Sequence, residues 1–243
     1  METTCHFQTH PKTLVDLLGN AVDIGKDPAS VSVNNLVMLS VAGGRLFSYG
    51  RGRYSAGMDW RDIELGADVP YALCITLTEA EAGELASALR GVEGYARKGS
   101  VVAVTFTDRT RLEIRSGSEV VCDLPDADPD DETFGNPDEV SDWEEIEALI
   151  IETAAKPRLT SPFAMGLDIL TRLNKIRSDS TFADFAVHPD GRRIAVALGT
   201  SFRGVVVGAD RAMYVTGGLN GDGPGRPEHL WGEIPRNQLE DFL

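Results

Sequence analysis

The residues with the greatest potential for chemistry are four histidines and three cysteines, and their spacing argues against an active site. The histidines lie far apart, and no His-Glu-x-x-His pattern joins two of them into a metal-binding pair. Cys5, Cys74 and Cys122 form no Cys-x-x-Cys pair, which predicts free thiols in a reducing cytoplasm rather than a disulfide framework or a zinc site. No Ser or Cys has a His and an acid at the spacing of a known nucleophile motif.

Two further segments resemble ligand-binding loops but lack the residues those loops need. The run Asp126-x-Asp128-x-Asp130 contains a proline and has no glycine at its sixth position, so it does not match a calcium loop. The glycine-rich stretch from Gly217 to Gly225 is not followed by the lysine and helix of a phosphate-binding loop. We therefore predict a protein that is not an enzyme and that holds no metal ion or cofactor.

The net charge of −15 comes from one part of the chain. Fourteen acidic and no basic residues lie between Arg115 and Lys156, which leaves 24 acidic and 23 basic residues elsewhere. An acidic run among prolines and glycines is typical of a solvated connector, because like charges repel and cannot form a core. A basic surface elsewhere in the protein is therefore compatible with the overall charge. No apolar run reaches the length of a membrane helix, and the first residues do not resemble a signal peptide.

The first 66 residues predict one strand, one helix and three further strands. Residues 5–9 form the first strand, and a helix begins at Pro11 and ends at Gly25, with apolar residues along one face. An apolar strand at 36–41 then leads through the two-residue turn Gly43-Gly44 into the next strand. A second turn at Gly50-Arg51-Gly52 is predicted before the last strand, which runs from Tyr54 to Ile63.

The same order of elements is predicted a second time. A strand at 71–76 precedes the capping box Thr78-Glu79-Ala80-Glu81, in which the Thr and Glu side chains satisfy free amides at the start of a helix. Strands at 101–106, 112–115 and 120–124 follow. A third unit begins after a helix at Ser141–Ala155, whose inward residues are Ile146, Leu149 and Ile150. It comprises a helix carrying Leu167, Leu170, Leu173 and Ile176 and strands at 182–187, 193–198 and 202–207.

These patterns predict an α+β fold of repeated β-α-β-β-β units with the helices on one face of antiparallel sheets. We predict a first domain at residues 1–124, an acidic connector at 125–140, and a second, partial domain at 141–243 that includes a flexible Gly/Pro-rich tail.

The stretch from Leu36 to Glu64 and the repeated units resemble the DNA sliding clamps, the ring-shaped processivity factors of replicative polymerases. In bacterial and phage clamps an apolar strand, a glycine turn and a second strand lead to a Thr-Asp-Arg-Tyr signature. Arg53-Tyr54 matches it here, whereas Arg51 and Gly52 replace the Thr and the Asp. Residues 200–204 likewise resemble a strand of clamp-like repeats in actinobacteria and their phages. A helix stands where half a domain would be expected, so the chain resembles a divergent clamp.

This resemblance implies a homo-oligomeric ring that holds duplex DNA without sequence specificity and tethers a polymerase or another replication protein. The helices of such rings line the hole and face the phosphates, so the resemblance implies DNA-facing roles for the basic residues of the predicted helices. These are Lys12, Lys26, Arg90, Arg97, Lys98, Arg172, Lys175 and Arg177. Capping of helix C-termini and solubility explain the same residues without DNA.

The last residues offer a second type of partner. Gln238, Leu239, Phe242 and Leu243 partly resemble the Gln-Leu-x-Leu-Phe peptides that dock into bacterial clamps, although Asp241 replaces the central leucine. The mismatch at Asp241 favours the other interpretation, an amphipathic helix that packs on its own domain. The alternative function is therefore a clamp-fold adaptor or regulator that binds a replication protein rather than DNA.

Overall fold

The computed structural model describes residues 3–25, 36–52, 55–66, 69, 71–125, 143–155, 167–179, 183–189 and 193–207. The helices are α1 (Pro11–Gly25), α2 (Glu79–Gly91), α3 (Trp143–Ala155) and α4 (Leu167–Leu173). The strands are β1 (Thr4–Thr9), β2 (Leu36–Ala42), β3 (Arg45–Arg51), β4 (Ser55–Asp62), β5 (Glu64–Leu65), β6 (Leu73–Thr78), β7 (Val102–Thr107), β8 (Arg111–Ser116), β9 (Glu119–Pro125), β10 (Ala183–Val187), β11 (Arg193–Leu198) and β12 (Phe202–Val207).

The first two units interlock by exchanging their first strands. β1 of the first unit pairs antiparallel with β7 of the second, and β6 of the second unit pairs antiparallel with β2 of the first. The resulting sheets have the orders β5-β1-β7-β8-β9 and β10-β11-β12-β4-β3-β2-β6. One apolar core joins both sheets to α1 and α2. This arrangement confirms the predicted α+β fold with antiparallel sheets.

Local sequence signals place the ends of several elements where they were predicted. Thr78 caps α2, since its Oγ1 accepts from the Glu81 amide at 3.1 Å while the Glu81 carboxylate accepts from the Thr78 amide at 2.8 Å. Gly43 and Gly44 have φ angles of 52° and 73°, the left-handed values that a two-residue hairpin turn requires. α1 begins at Pro11 and ends at Gly25, as its sequence predicts.

α1 lies unusually close to β3 and β4 because the strands present small residues to it. A Cβ at Gly50 would lie 2.0 Å from the Ala21 carbonyl oxygen, and one at Gly57 would lie 3.2 Å from a side-chain carbon of Ile24. Buried Ser48 and Ser55 donate hydrogen bonds to carbonyl oxygens of α1, at 3.0 and 2.6 Å. The turn predicted at Gly50-Arg51-Gly52 therefore starts later than expected, since Gly50 and Arg51 continue β3 and Gly50 serves helix packing. Gly52 lies in the connection to β4, where its amide donates to the Ser55 carbonyl at 2.7 Å.

The third unit extends the sheet of the first. β12 pairs antiparallel with β4, with Gly204 opposite Gly57, and β11 and β10 follow in order. α4 contacts α1 and packs on the face of β11 and β12 that carries Ile194, Val196 and Val206. The sheet thus runs without interruption from the first unit to the third. α4 is shorter than predicted, since it ends at Leu173 and does not reach Ile176. Leu170 is 43% exposed.

α3 lies on the opposite face of this sheet from α1 and α4. Along β3, Ser48 and Gly50 face α1, whereas Phe47 and Tyr49 pack with Ile146 and Ile150 of α3. The prediction that all helices share one face is therefore wrong for α3. The physical reason is that this sheet is apolar on both faces, so it needs cover on both sides.

Polar contacts also fasten α3 to the sheet. The Tyr49 hydroxyl donates to the Glu147 carboxylate at 2.6 Å, and both residues are buried. Near the other end of α3, Arg193 donates to both carboxylate oxygens of Glu152, at 3.1 and 3.2 Å. α3 therefore bridges the strands of the first and third units across the junction of β4 and β12.

We expect Tyr49→Phe to lower the free energy of unfolding by about 2 kcal/mol, because it removes a buried hydrogen bond to a charged group. Urea denaturation followed by circular dichroism measures this loss. Glu152→Gln is the matched control on the same helix, because the side chain of Glu152 is 61% exposed and surface pairs contribute less than about 1 kcal/mol. Equal losses in the two variants would contradict the assignment of Tyr49 and Glu147 as the principal polar tie of α3.

Several predicted features lie outside the described residues. They include residues 126–140 of the acidic connector, the Arg53-Tyr54 signature, the start of the helix predicted at Ser141 and the C-terminal segment. β5 was not predicted, and it pairs with β1 at Phe7 and Gln8. Among the described residues, no helix combines the length and the apolar character needed to cross a bilayer.

Candidate nucleic-acid interface

The candidate interface is the surface that α1, α2 and α4 turn away from the sheets. α1 lies in the middle and contacts both other helices. Its residues that are not buried include Lys12, Asp16, Gly19 and Asp23, which follow each other at spacings of four, three and four residues and form one stripe. We call this surface, with residues 92–100 and 174–177 that follow α2 and α4, the helical surface.

Two basic residues after α2 lie beside the start of α1. The His10 ring nitrogen Nε2 is 3.0 Å from the Arg97 carbonyl oxygen, which ties the segment after α2 to the residue preceding Pro11. Arg97 and Lys98 are exposed, as is Lys12 in the first turn of α1. Residues from two different units are therefore brought to one end of the helical surface.

A buried asparagine attaches the end of the third unit to α1. Asn20 is fully buried; its Oδ1 accepts from the Arg177 amide at 2.8 Å, and its Nδ2 donates to the Arg177 carbonyl at 2.9 Å and to Asp59 at 2.8 Å. The Asp59 carboxylate is buried as well and also accepts from Arg61 at 2.5 Å. These bonds hold Arg177 against the middle of α1.

The segment after α4 has a second attachment at Asp179. The Asp179 carboxylate accepts from the Thr200 amide at 2.9 Å and from the Thr200 hydroxyl at 2.8 Å. These hydrogen bonds favour the charged form and hold the pKa of Asp179 below its ordinary value. Lys175 and Arg177 are thus carried by a segment that is fixed on both sides.

The structure places the predicted DNA-facing residues in three groups. Lys12, Arg90, Arg97, Lys98, Lys175 and Arg177 are exposed on the helical surface. Arg172 is only 7% exposed, and its Nη1 donates to Ser55 Oγ at 3.3 Å. Its side chain therefore faces the protein interior, and Arg172 does not belong to the exposed cations of the helical surface. Lys26 lies outside the described residues, as do the predicted partner-binding residues Gln238, Leu239, Phe242 and Leu243.

The charge of the helical surface is balanced rather than strongly positive. Among the residues whose exposure the structure describes, six exposed basic residues stand beside six acidic residues that are partly or fully exposed. The acidic residues are Asp16, Asp23, Glu79, Glu81, Glu84 and Glu93. Long basic side chains of this kind contact phosphates without reading bases, and the acids among them limit the strength of that contact.

Sequence analysis missed the residues that organise this surface. Asp16, Gly19 and Asn20 were not singled out, although Asn20 falls among the apolar positions of α1, and a buried amide there requires partners. That signal predicts a polar tie but does not name its partner, because Arg177 lies 157 residues further along the chain.

The thiols in the described residues are poorly suited to nucleophilic chemistry. Burial raises the pKa of the Cys5 thiol to about 11, so it is protonated at neutral pH. Burial is also the main cause of the raised pKa of the Cys122 thiol. Among the residues that the structure describes, no group of three or more His, Cys, Asp or Glu side chains is placed to hold a metal ion.

Comparison with solved structures identifies the fold as that of bacterial sliding clamps. The C. crescentus beta sliding clamp matches with a TM-score of 0.55 at 15% identity, over 90% of this chain and 66% of the clamp chain. The Bacillus subtilis DNA polymerase sliding clamp matches with a TM-score of 0.57 at 11% identity, over 86% and 65%. The Helicobacter pylori beta clamp, solved with a DNA ligase peptide, matches with a TM-score of 0.55 at 11% identity, over 84% and 66%.

The chain therefore has the sliding-clamp fold, and it spans slightly less than two thirds of the length of the first of these clamps. No protein-family model matches the sequence, and no curated protein matches it. At identities of 10–15% the similarity lies in the three-dimensional arrangement of the units rather than in shared residues. This agrees with the sequence-based interpretation of a divergent clamp.

Proposed function

We propose that this protein is a sliding clamp, a non-enzymatic processivity factor that encircles or sits on duplex DNA and tethers replication proteins to it. The observation that carries the proposal is the helical surface: α1, α2 and α4 lie on one side of a sliding-clamp fold, and these helices or the segments that follow them present exposed cations from all three units. Sequence-independent binding follows, because the cations meet phosphates rather than base edges.

The balanced charge of the helical surface predicts weak contact with DNA. Each phosphate contact adds about 0.9 to the slope of log affinity against log salt, and the six acids offset part of the contribution of the six bases. Retention on DNA then depends on topological linkage rather than on contact energy. A ring of several copies provides that linkage.

Two sheet edges support assembly with further copies. Within the described residues, β9 pairs only with β8, and β10 pairs only with β11, so each has one side without a strand partner. Val120 on β9 is 45% exposed, which gives this edge an apolar side chain in solvent. Unpaired strand edges favour pairing with another chain, and edges in two different sheets permit a head-to-tail ring.

The proposed partners beyond DNA are a polymerase or another replication protein in the cytoplasm of an actinobacterial or phage-infected cell. The H. pylori clamp with the same fold was solved with a DNA ligase peptide, which supports a tethering role for this chain. Gln238, Leu239, Phe242 and Leu243 stay a predicted partner-binding motif.

Retention on circular DNA tests this function directly. We expect the protein, once loaded onto a nicked circular plasmid, to co-elute with it during gel filtration at about 150 mM salt and to be lost when the plasmid is linearised. Light scattering on the free protein is expected to give the mass of two or more chains of 26.2 kDa each. The same plasmid, cut once before loading, is the matched control.

A monomeric mass together with equal behaviour on circular and linear plasmid would contradict the clamp and favour the alternative. That alternative is a clamp-fold adaptor or regulator that binds a replication protein rather than DNA. The balanced charge of the helical surface is the observation in its favour, because an adaptor needs no basic surface.

A further inference from the structure

Asp16 pairs with cations from two units, which no other described residue of the helical surface does. Its Oδ2 lies 2.5 Å from Lys12 Nζ, and its Oδ1 lies 3.5 Å from Arg177 Nε. The Asp16 side chain is 13% exposed, whereas those of Lys12 and Arg177 are 57% and 44% exposed. The Asp16 carboxylate is therefore less exposed than the two cations, and it neutralises part of the charge of each.

Backbone contacts determine the position of Arg177 next to α1. A Cβ at Gly19 would lie within 2.2 Å of Arg177 Nη1, so the guanidinium rests where only a glycine leaves room. The amide and carbonyl of Arg177 are both bonded to Asn20. The backbone of Arg177 is thus held against α1 by contacts that do not depend on charge, and Gly19 leaves room for its guanidinium beside Asp16.

We propose that Asp16 limits the affinity of the helical surface for DNA by neutralising part of the charge of Lys12 and Arg177. This inference rests on the proposed function. A phosphate that approaches either cation competes with a carboxylate already in place and is repelled by it. Lys12 and Arg177 then contribute less than two full phosphate contacts, which favours a protein that moves along DNA instead of binding tightly at one place.

Asp16→Asn tests the inference, with Asp23→Asn as the matched control. Both variants remove one negative charge from the same stripe of α1, but Asp23 forms no ion pair with any described residue. The probe is a fluorescent 30-base-pair duplex of arbitrary sequence, titrated with the full chain between 50 and 200 mM salt. We expect Asp16→Asn to bind about three- to tenfold more tightly at 100 mM salt and to steepen the salt slope by about 1.

A double-mutant cycle gives a readout that a purely structural role for Asp16 would not change. Lys12→Gln is expected to weaken binding less than about twofold in the wild type and about fivefold or more in the Asp16→Asn background, where the Lys12 charge is free. Thermal melts of each variant establish that the fold is retained.

The outcomes separate this inference from the proposed function. If Asp16→Asn binds no more tightly than Asp23→Asn while the wild type is retained on circular DNA, Asp16 does not limit affinity and the clamp proposal stands. If Asp16→Asn alone binds the duplex measurably, the inference is supported. If no variant binds the duplex even at 50 mM salt, the inference about Asp16 is overturned, whereas the clamp proposal is decided by retention on the circular plasmid.

Discussion

Replacing Gly50 with alanine is expected to destabilise the protein by about 3 kcal/mol or more, a large part of the 5–15 kcal/mol that holds a typical domain together. The new methyl group would lie 2.0 Å from the Ala21 carbonyl oxygen and 2.7 Å from the carbonyl carbon. Both atoms belong to the backbone of α1, so no side-chain rotation can relieve the overlap. The helix would have to move off β3 and lose the bonds from Ser48 and Ser55.

Gly83→Ala is the matched control for this prediction. Gly83 lies within α2, and a Cβ there meets nothing within 4 Å. The same change of one methyl group is expected to stabilise the protein by about 0.5–1 kcal/mol, because alanine favours helix and restricts the unfolded chain. Urea unfolding of both variants gives the comparison. A loss below about 1 kcal/mol for Gly50→Ala would contradict the close contact between α1 and β3.

Neutralising three cations of the helical surface is expected to weaken duplex binding by on the order of 100-fold at 100 mM salt. The variant is Arg90→Gln, Lys98→Gln and Lys175→Gln, which takes one residue from each of three segments of the surface. All three side chains are exposed, so their replacement leaves the core unchanged. The salt slope is expected to fall by about 2 to 3, since each cation that meets a phosphate contributes about 0.9.

The control variant removes the same charge from the outward faces of the sheets. Arg45, Arg111 and Arg115 have side chains that are 41%, 51% and 44% exposed. Arg111 and Arg115 alternate along β8 with the buried Leu112 and Ile114, so they point away from the helices. Neutralising all three with glutamine is expected to change DNA affinity less than about threefold. Equal losses in the two triple variants would mean that net charge, rather than the helical surface, governs binding.

The elements with strong local signals were predicted almost to the residue. The capping box at Thr78 fixes the start of α2 through bonds within four residues, and the Gly43-Gly44 turn fixes the hairpin of β2 and β3. β11 and β12 match their apolar runs for the same reason. Each of these features depends on residues that are neighbours in the chain, so the pattern of the sequence is enough to predict it.

The errors arise where a distant segment decides the role of a residue. Gly50 fits a turn by residue type, but Ala21 of α1 requires a glycine within β3. The position of α3 depends in the same way on which face of the sheet is already occupied. Arg172 was predicted to face DNA together with Lys175 and Arg177, but its side chain is buried and donates to Ser55 of β4.

By itself the amino-acid sequence determined the type and order of the units, their repetition, and the basic residues that end the helices. Only the tertiary structure decided that β1 and β6 exchange sheets, that α3 covers the outer face, and that Asp16 lies between Lys12 and Arg177. The physical reason is the distance along the chain over which each interaction acts. Helix caps and hairpin turns act within a few residues, whereas the pairing of strands and charges from different units depends on packing across the whole chain.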